Sequence, residues 1–259
     1  MKIKEYIKPV SIAEAYELCS KGAVAIGGGA FLNLGERVID QAVDLSGLDL
    51  DYIQERDSHI EIGAMATLRE IETSSILKEN FDGVLSKTAA SIMGVQVRNI
   101  STIGGSIYGK FGFSDIITIL LALDAKVELY HACCMDLESY LNSDMDKDII
   151  LKIIIKKNVS HAAFESVRKT ETDFSILNAA AALVDGHLRL SIGARPGKAK
   201  LARGAIGFLD IVEASEAGTT LAVLASEELQ FGSDIRGSEE YRRNLCKTLV
   251  KKCVQEVLQ

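Results

Sequence analysis

The chain has 259 residues, 47% of them hydrophobic, enough to bury a large core in one large domain or two to three small ones. A formal net charge of -7 provides no basic field for a phosphate backbone, which argues against nucleic acid as a partner. The most apolar window, residues 116–125, is too short to span a bilayer and carries Asp124, so no membrane partner is expected either.

Met1, Lys2, Ile3, Lys4, Glu5 and Tyr6 are followed by no apolar run, so a secretory signal is not expected and a cytoplasmic, soluble chain is. The five cysteines, Cys19, Cys133, Cys134, Cys246 and Cys253, lack the spacing of a zinc or iron-sulfur site and read as reduced thiols. Cys133 and Cys134 are adjacent, but neighbouring side chains on a strand point to opposite faces, which disfavours a redox pair.

In chain order, Ser11 followed by Glu14 makes a capping box, and Ile12, Ala15, Tyr16 and Cys19 recur at helical spacing up to a stop at Gly22. Residues 23–26 are a short apolar run that breaks into Gly27, Gly28 and Gly29, the pattern of a buried strand entering a glycine loop. Residues 60–64 predict a strand, and Thr67 with Glu70 caps the helix after it. A helix is predicted over 80–93, then a second glycine turn at Gly104 and Gly105, a buried helix over 116–123 and a strand over 126–130. Residues 137–147 read as charged and irregular, with a domain boundary near 156–160. Beyond it, 175–184 and 187–194 flank Asp185 and Gly186, the two-residue signal of a β-hairpin. Helices are predicted over 205–217 and 219–225, and a long amphipathic helix over 238–258 closes the chain. Strands and helices mix without regular βαβ repetition, so the fold class is α+β.

The loop Ile26-Gly-Gly-Gly-Ala-Phe31 fails the dinucleotide fingerprint, because the third glycine position is Leu32. A glycine turn nevertheless lets several backbone N–H groups converge on an anion, while a simple turn needs no ligand at all. The second turn, Thr102, Ile103, Gly104, Gly105 and Ser106, adds hydroxyls to flexible backbone, a combination suited to phosphate oxygens.

The segment Gln96-Val-Arg-Asn-Ile-Ser-Thr-Ile-Gly-Gly-Ser106 closely resembles a signature of the molybdopterin dehydrogenase FAD-binding family, the medium subunits of xanthine and carbon monoxide dehydrogenases. The resemblance continues through Asp115 and Leu120-Leu-Ala-Leu-Asp-Ala125, has an upstream partner in Ile62-Gly-Ala-Met-Ala-Thr-Leu-Arg-Glu-Ile-Glu72, and ends in Ser233-Asp-Ile-Arg-Gly-Ser-Glu-Glu-Tyr-Arg-Arg243. It implies a two-part FAD-binding domain over 1–157, split near 55, followed by a smaller α+β domain over 158–259.

The resemblance also implies the site. Ala25, Ile26, Gly27, Gly28, Gly29, Ala30, Phe31 and Leu32, with Thr102, Gly104, Gly105 and Ser106, match the positions that hold the FAD pyrophosphate. Asp115 matches an acid that contacts the cofactor, and Ile150 falls where an apolar residue packs on the flavin ring, although ordinary core packing explains Ile150 equally simply. The chain departs from the family pattern in three places. The first loop lacks a hydroxyl and a carboxylate; Ser166 stands where a lysine is usual, with Arg168 or Lys169 either substituting for it or serving as solvated surface charges; and residues 107–114 replace a small-residue and proline pattern. In that last stretch Tyr108 and Phe111 are candidates either to stack on the ring or a nicotinamide, or simply to form a wall.

The function implied is electron transfer from 2Fe-2S clusters on a small subunit, fed by a molybdenum-cofactor large subunit, through FAD to NAD or another acceptor. Two alternatives stand beside it: an assembly subunit that has lost FAD, and a stand-alone flavin oxidoreductase. No acid–base side chain is required, and His59, His131, His161 and His187 are scattered along the chain.

Overall fold

The computed structural model of the chain describes residues 1–145, 147–208 and 214–259. The chain opens with β1 (Lys2–Ile7), α1 (Ile12–Ser20), β2 (Val24–Ile26) and β3 (Val38–Asp44), whose strands form a parallel sheet in the order β1-β3-β2. Ser11 Oγ accepts the Glu14 N–H at the start of α1, the Glu14 carboxylate turns back to the Val10 N–H, and Gly22 at φ 109° ends the helix.

A second sheet begins with β4 (Ile53–Glu55) and β5 (His59–Gly63). The chain then runs through α2 (Leu68–Thr73), α3 (Ser75–Glu79), α4 (Val84–Ala90), α5 (Val95–Arg98), α6 (Ile103–Tyr108) and α7 (Asp115–Ala122). It returns to the sheet as β6 (Lys126–Leu129) and β7 (Cys133–Asp136), makes α8 (Leu137–Leu141), and completes the antiparallel order β4-β5-β8-β6-β7 with β8 (Ile150–Lys156). The third sheet, β9 (Val159–Val167), β10 (Leu177–Val184), β11 (His187–Gly193) and β12 (Lys200–Leu201), is antiparallel in the order β12-β11-β10-β9. The chain ends with α9 (Arg203–Ile206), α10 (Ala214–Glu228) and α11 (Glu239–Leu258).

All eight residues of α7 are buried, because it lies between the second and third sheets. Ile119 and Leu120 share one core with Val127 and Ile153 of the second sheet and with Ala180 and Ala182 of the third. Complete burial of each such aliphatic side chain stabilises by about 1.5–3 kcal/mol, so α7 is the main joint between the two domains. On the other face of the third sheet, Ala179 and Ala181 pack with Ala217 and Leu221 of α10 and Leu249 and Val250 of α11. The alanine run 179–182 lets helices approach β10 closely from both sides, which is the two-domain α+β architecture anticipated from the sequence.

Some local expectations are corrected. The helix predicted over 80–93 is confined to α4, because Phe81 and Asp82 at φ 56° and 55°, with Gly83 at 66°, cannot continue a right-handed helix. Within 137–147, read as irregular, lies α8. The two helices predicted over 205–217 and 219–225 meet no break at Gly218, since α10 is continuous there; residues 209–213 lie outside the described residues. Gly218 instead permits close approach of α11: a Cβ there would lie 3.0 Å from Gln255 Cγ.

Candidate cofactor-binding site

Strand β2 delivers the first glycine loop to the edge of a narrow cleft whose opposite wall is the segment from Thr102 into α6. That wall is pinned by backbone bonds to the segment between β5 and α2: Leu68 N–H donates to Ser101 O, Ile103 N–H to Ala66 O and Gly104 N–H to Ala64 O, each at 2.8–2.9 Å. The two loops approach so closely that side chains are excluded between them. A Cβ on Gly28 would stand 1.2 Å from the Ile100 carbonyl oxygen, one on Gly27 2.6 Å from Thr102 Oγ1, and one on Gly104 2.6 Å from Ala64 O.

Ala25, Gly27, Thr102, Gly104, Gly105 and Ile150 of the anticipated residues line the cleft together. Leu45, Ala64, Met65, Tyr108, Asp148 and Ile149 complete it and were not assigned to the site by sequence reasoning, apart from Tyr108 as a ring-stacking candidate. Ala64 and Met65 sit inside the quoted motif that starts at Ile62, which is the signal that could have found them. Ile26 and Leu32 pack instead with Ile39 and Ala42, and Phe31 leaves the cleft for an aromatic cluster. In that cluster the ring of Phe31 lies 4.1 Å from Phe111, Phe111 stacks on Phe113 at 5.2 Å, and Phe113 meets Phe174 of the second domain at 4.1 Å.

Donor capacity divides unequally between the two walls. The N–H groups of Gly27, Gly28, Gly29, Ala30 and Phe31 make no hydrogen bond within the protein among the described residues. The Thr102 turn is rigid rather than loose: its hydroxyl accepts the Gly105 N–H at 3.1 Å, the Ser106 N–H and hydroxyl both reach Thr102 O, and it forms the capped first turn of α6. The first loop therefore keeps backbone donors available, whereas those of the Thr102 turn are spent within the protein. The cleft encloses ≈ 50 Å³, about the room of a few waters, which suits a phosphate group with the rest of a larger ligand lying along the surface. The residues present fit a pyrophosphate in their donor set: a run of backbone N–H groups without protein acceptors among the described residues, beginning at Gly27 on the cleft wall, while the glycines let the two loops pack against each other.

Asp115 is placed differently. It is 5% exposed and its carboxylate accepts from Ser175 Oγ at 2.7 Å, Asn178 Nδ2 at 2.5 Å and Arg168 Nη2 at 2.9 Å, all from the second domain. Arg168 also donates to Ser91 Oγ and Ser166 Oγ, so a cation does stand beside Ser166, from two residues further on, just past the end of β9. Lys169 turns away to the Ile235 carbonyl.

Residues 1–157 match the family described as the FAD binding domain in molybdopterin dehydrogenase. The chain belongs to this family. Residues 162–257 match the CO dehydrogenase flavoprotein C-terminal domain, so both parts of the flavoprotein are present. Among curated relatives, "Uncharacterized protein YgfM" of Escherichia coli (strain K12) is 27% identical, covering 96% of this chain and 94% of its own. The nicotine 6-hydroxylase medium subunit of Paenarthrobacter nicotinovorans is 25% identical, covering 97% and 96%. Among solved structures, a carbon monoxide dehydrogenase chain from Hydrogenophaga pseudoflava superimposes with a TM-score of 0.90 at 22% identity, covering 99% of this chain and 97% of its own. That likeness shows the shared fold. Among the described residues, no helix is long and apolar enough to cross a membrane.

Proposed function

We propose that this chain binds FAD and is the cytoplasmic flavin subunit of a molybdenum hydroxylase, taking electrons from 2Fe-2S clusters on a small subunit served by a molybdenum-cofactor large subunit and passing them to NAD or another soluble acceptor. The observation that carries the reading is the run of N–H groups from Gly27 to Phe31 that no protein acceptor takes among the described residues, on a loop whose Gly27 lines the cleft and which packs so tightly that glycine is sterically required at 27 and 28. Bound FAD supplies the chemistry that couples one-electron donors to a two-electron acceptor.

The chain's own residues position and insulate. Backbone donors of the first loop neutralise pyrophosphate charge without the desolvation cost of a buried lysine. Met65 and Ile150 make the cleft wall apolar and keep water from that side of the ligand. The Asp115–Arg168 pair fixes the second domain against α7, and so fixes the distance between the glycine loops and whatever the second domain presents.

The reading is tested by titrating the stripped chain with FAD and with riboflavin, following flavin fluorescence. FAD binding at least ~100-fold tighter than riboflavin supports a pyrophosphate cradle, as about 3 kcal/mol of charge-assisted bonding corresponds to that ratio. Equal affinities for the two overturn it. The assembly-subunit reading is favoured by one observation, that the Asp115 carboxylate is already engaged by Ser175, Asn178 and Arg168; refusal of both flavins would put it first.

A further inference from the structure

Away from the cleft, with no lining residue in common, a groove of ≈ 230 Å³ runs between α4 and β9. From α4 and its C-cap it takes Val84, Lys87, Thr88 and Ser91, whose spacing of three, four and seven residues is a single helix face. From β9 it takes five consecutive residues, 162–166. Side chains of a strand alternate between faces, so consecutive residues line one space only where that space meets the strand's edge.

β9 is the terminal strand of its sheet, and this edge is unpaired. Ala162 N–H points away from β10, to the Asp82 carboxylate at 3.0 Å. With a period of two, the N–H and C=O groups of Phe164 and Ser166 point the same way, and among the described residues neither N–H has a partner within the protein. Thr88, 1% exposed, lines the same groove with an Oγ1 that is buried and unpartnered. Three polar groups therefore line one space without a partner.

We propose that this groove takes an extended peptide segment of a partner polypeptide, paired edge to edge with β9. The donors and acceptors of Phe164 and Ser166 repeat at the two-residue spacing of a strand, roughly 6.6–6.8 Å, which an extended backbone matches group for group. A side chain of that segment supplies the Thr88 hydroxyl with the partner it lacks. The walls differ in sign, Lys87 on the α4 side and, on the α11 side, Glu256 together with Glu165 of β9, which already has Lys252 at 3.8 Å, so the segment presents basic side chains toward Glu256 and small hydroxyl side chains toward Thr88.

The test uses the full chain and a capped pentapeptide of alternating lysine and threonine, with amide exchange read residue by residue. Saturable slowing of exchange at Phe164 and Ser166 by about tenfold or more is expected. Ser166→Pro removes one edge donor, and Thr88→Val removes the buried hydroxyl while preserving shape. Each weakens the peptide by about fivefold, the worth of one hydrogen bond. Unchanged exchange at both amides up to the solubility limit of the peptide, or equal slowing by the same peptide with N-methylated backbone, overturns the proposal.

Discussion

Asp115 at the start of α7 and Arg168, the residue just after β9, form a 2.9 Å ion pair between the two domains, with their side chains only 5% and 10% exposed. Ser175 and Asn178 accompany it on the other carboxylate oxygen. Removing one partner of such a pair leaves the other buried and uncompensated. Asp115→Ala should therefore cost about 3–5 kcal/mol in urea unfolding, far more than loss of an exposed pair such as Lys21–Glu17. A loss under about 1 kcal/mol would mean that the domains are held by α7 packing alone.

Gly28 and Gly104 make a paired prediction with an internal control. Gly28→Ala and Gly104→Ala force atoms to 1.2 Å and 2.6 Å from backbone oxygens, so each should destabilise by about 1–3 kcal/mol or more and lower FAD content. Gly47→Ala, which meets nothing within 4 Å, should do neither. Thermal unfolding together with flavin content of the purified variants checks both effects.

Glu61 on β5 supplies a pH dependence. Its hydrogen bond to Lys152 on β8, helped by His59 and Arg56, outweighs burial and holds its carboxyl down to about 2 from a usual 4.5. A folded-state value below the unfolded one stabilises at pH above about 4.5, and that contribution disappears as pH falls toward 2. Glu61→Gln should cost about 1–3 kcal/mol at pH 7, with the gap to the natural chain closing between pH 4.5 and 2 in urea titrations. A gap independent of pH would contradict this account.

The thiols should divide by burial. Cys133 and Cys134 are exposed, whereas Cys19, Cys246 and Cys253 are buried, with burial pushing the Cys246 thiol up to about 12. Two thiols should react quickly with an aromatic disulfide reagent and three only after unfolding.

Local chemistry made part of this architecture legible in the sequence. Asp185 and Gly186 adopt φ 50° and 77°, the left-handed pair that a two-residue hairpin demands, and Thr67 with Glu70 forms the reciprocal capping box. Strands β1, β3 and β8 went unread, because pairing with distant segments defines them more than their own alternation does. At the site, Gly27 and Thr102 were visible as turn chemistry, whereas Ala64 and Met65 were marked only by lying inside the family-like motif that starts at Ile62, since their own residue types do not distinguish a cleft wall from ordinary core. The partners that engage Asp115 lie 53, 60 and 63 residues further along the chain, beyond the reach of any periodicity.

The central claim, that Gly27–Phe31 and the Thr102 turn cradle FAD, is tested most directly by the visible absorption spectrum of the purified full chain, with the cofactor released by heat and identified by chromatography. The account predicts FAD in proportion to protein, carried by the natural chain and lost in Gly28→Ala. A colourless chain that takes up no added FAD would contradict it.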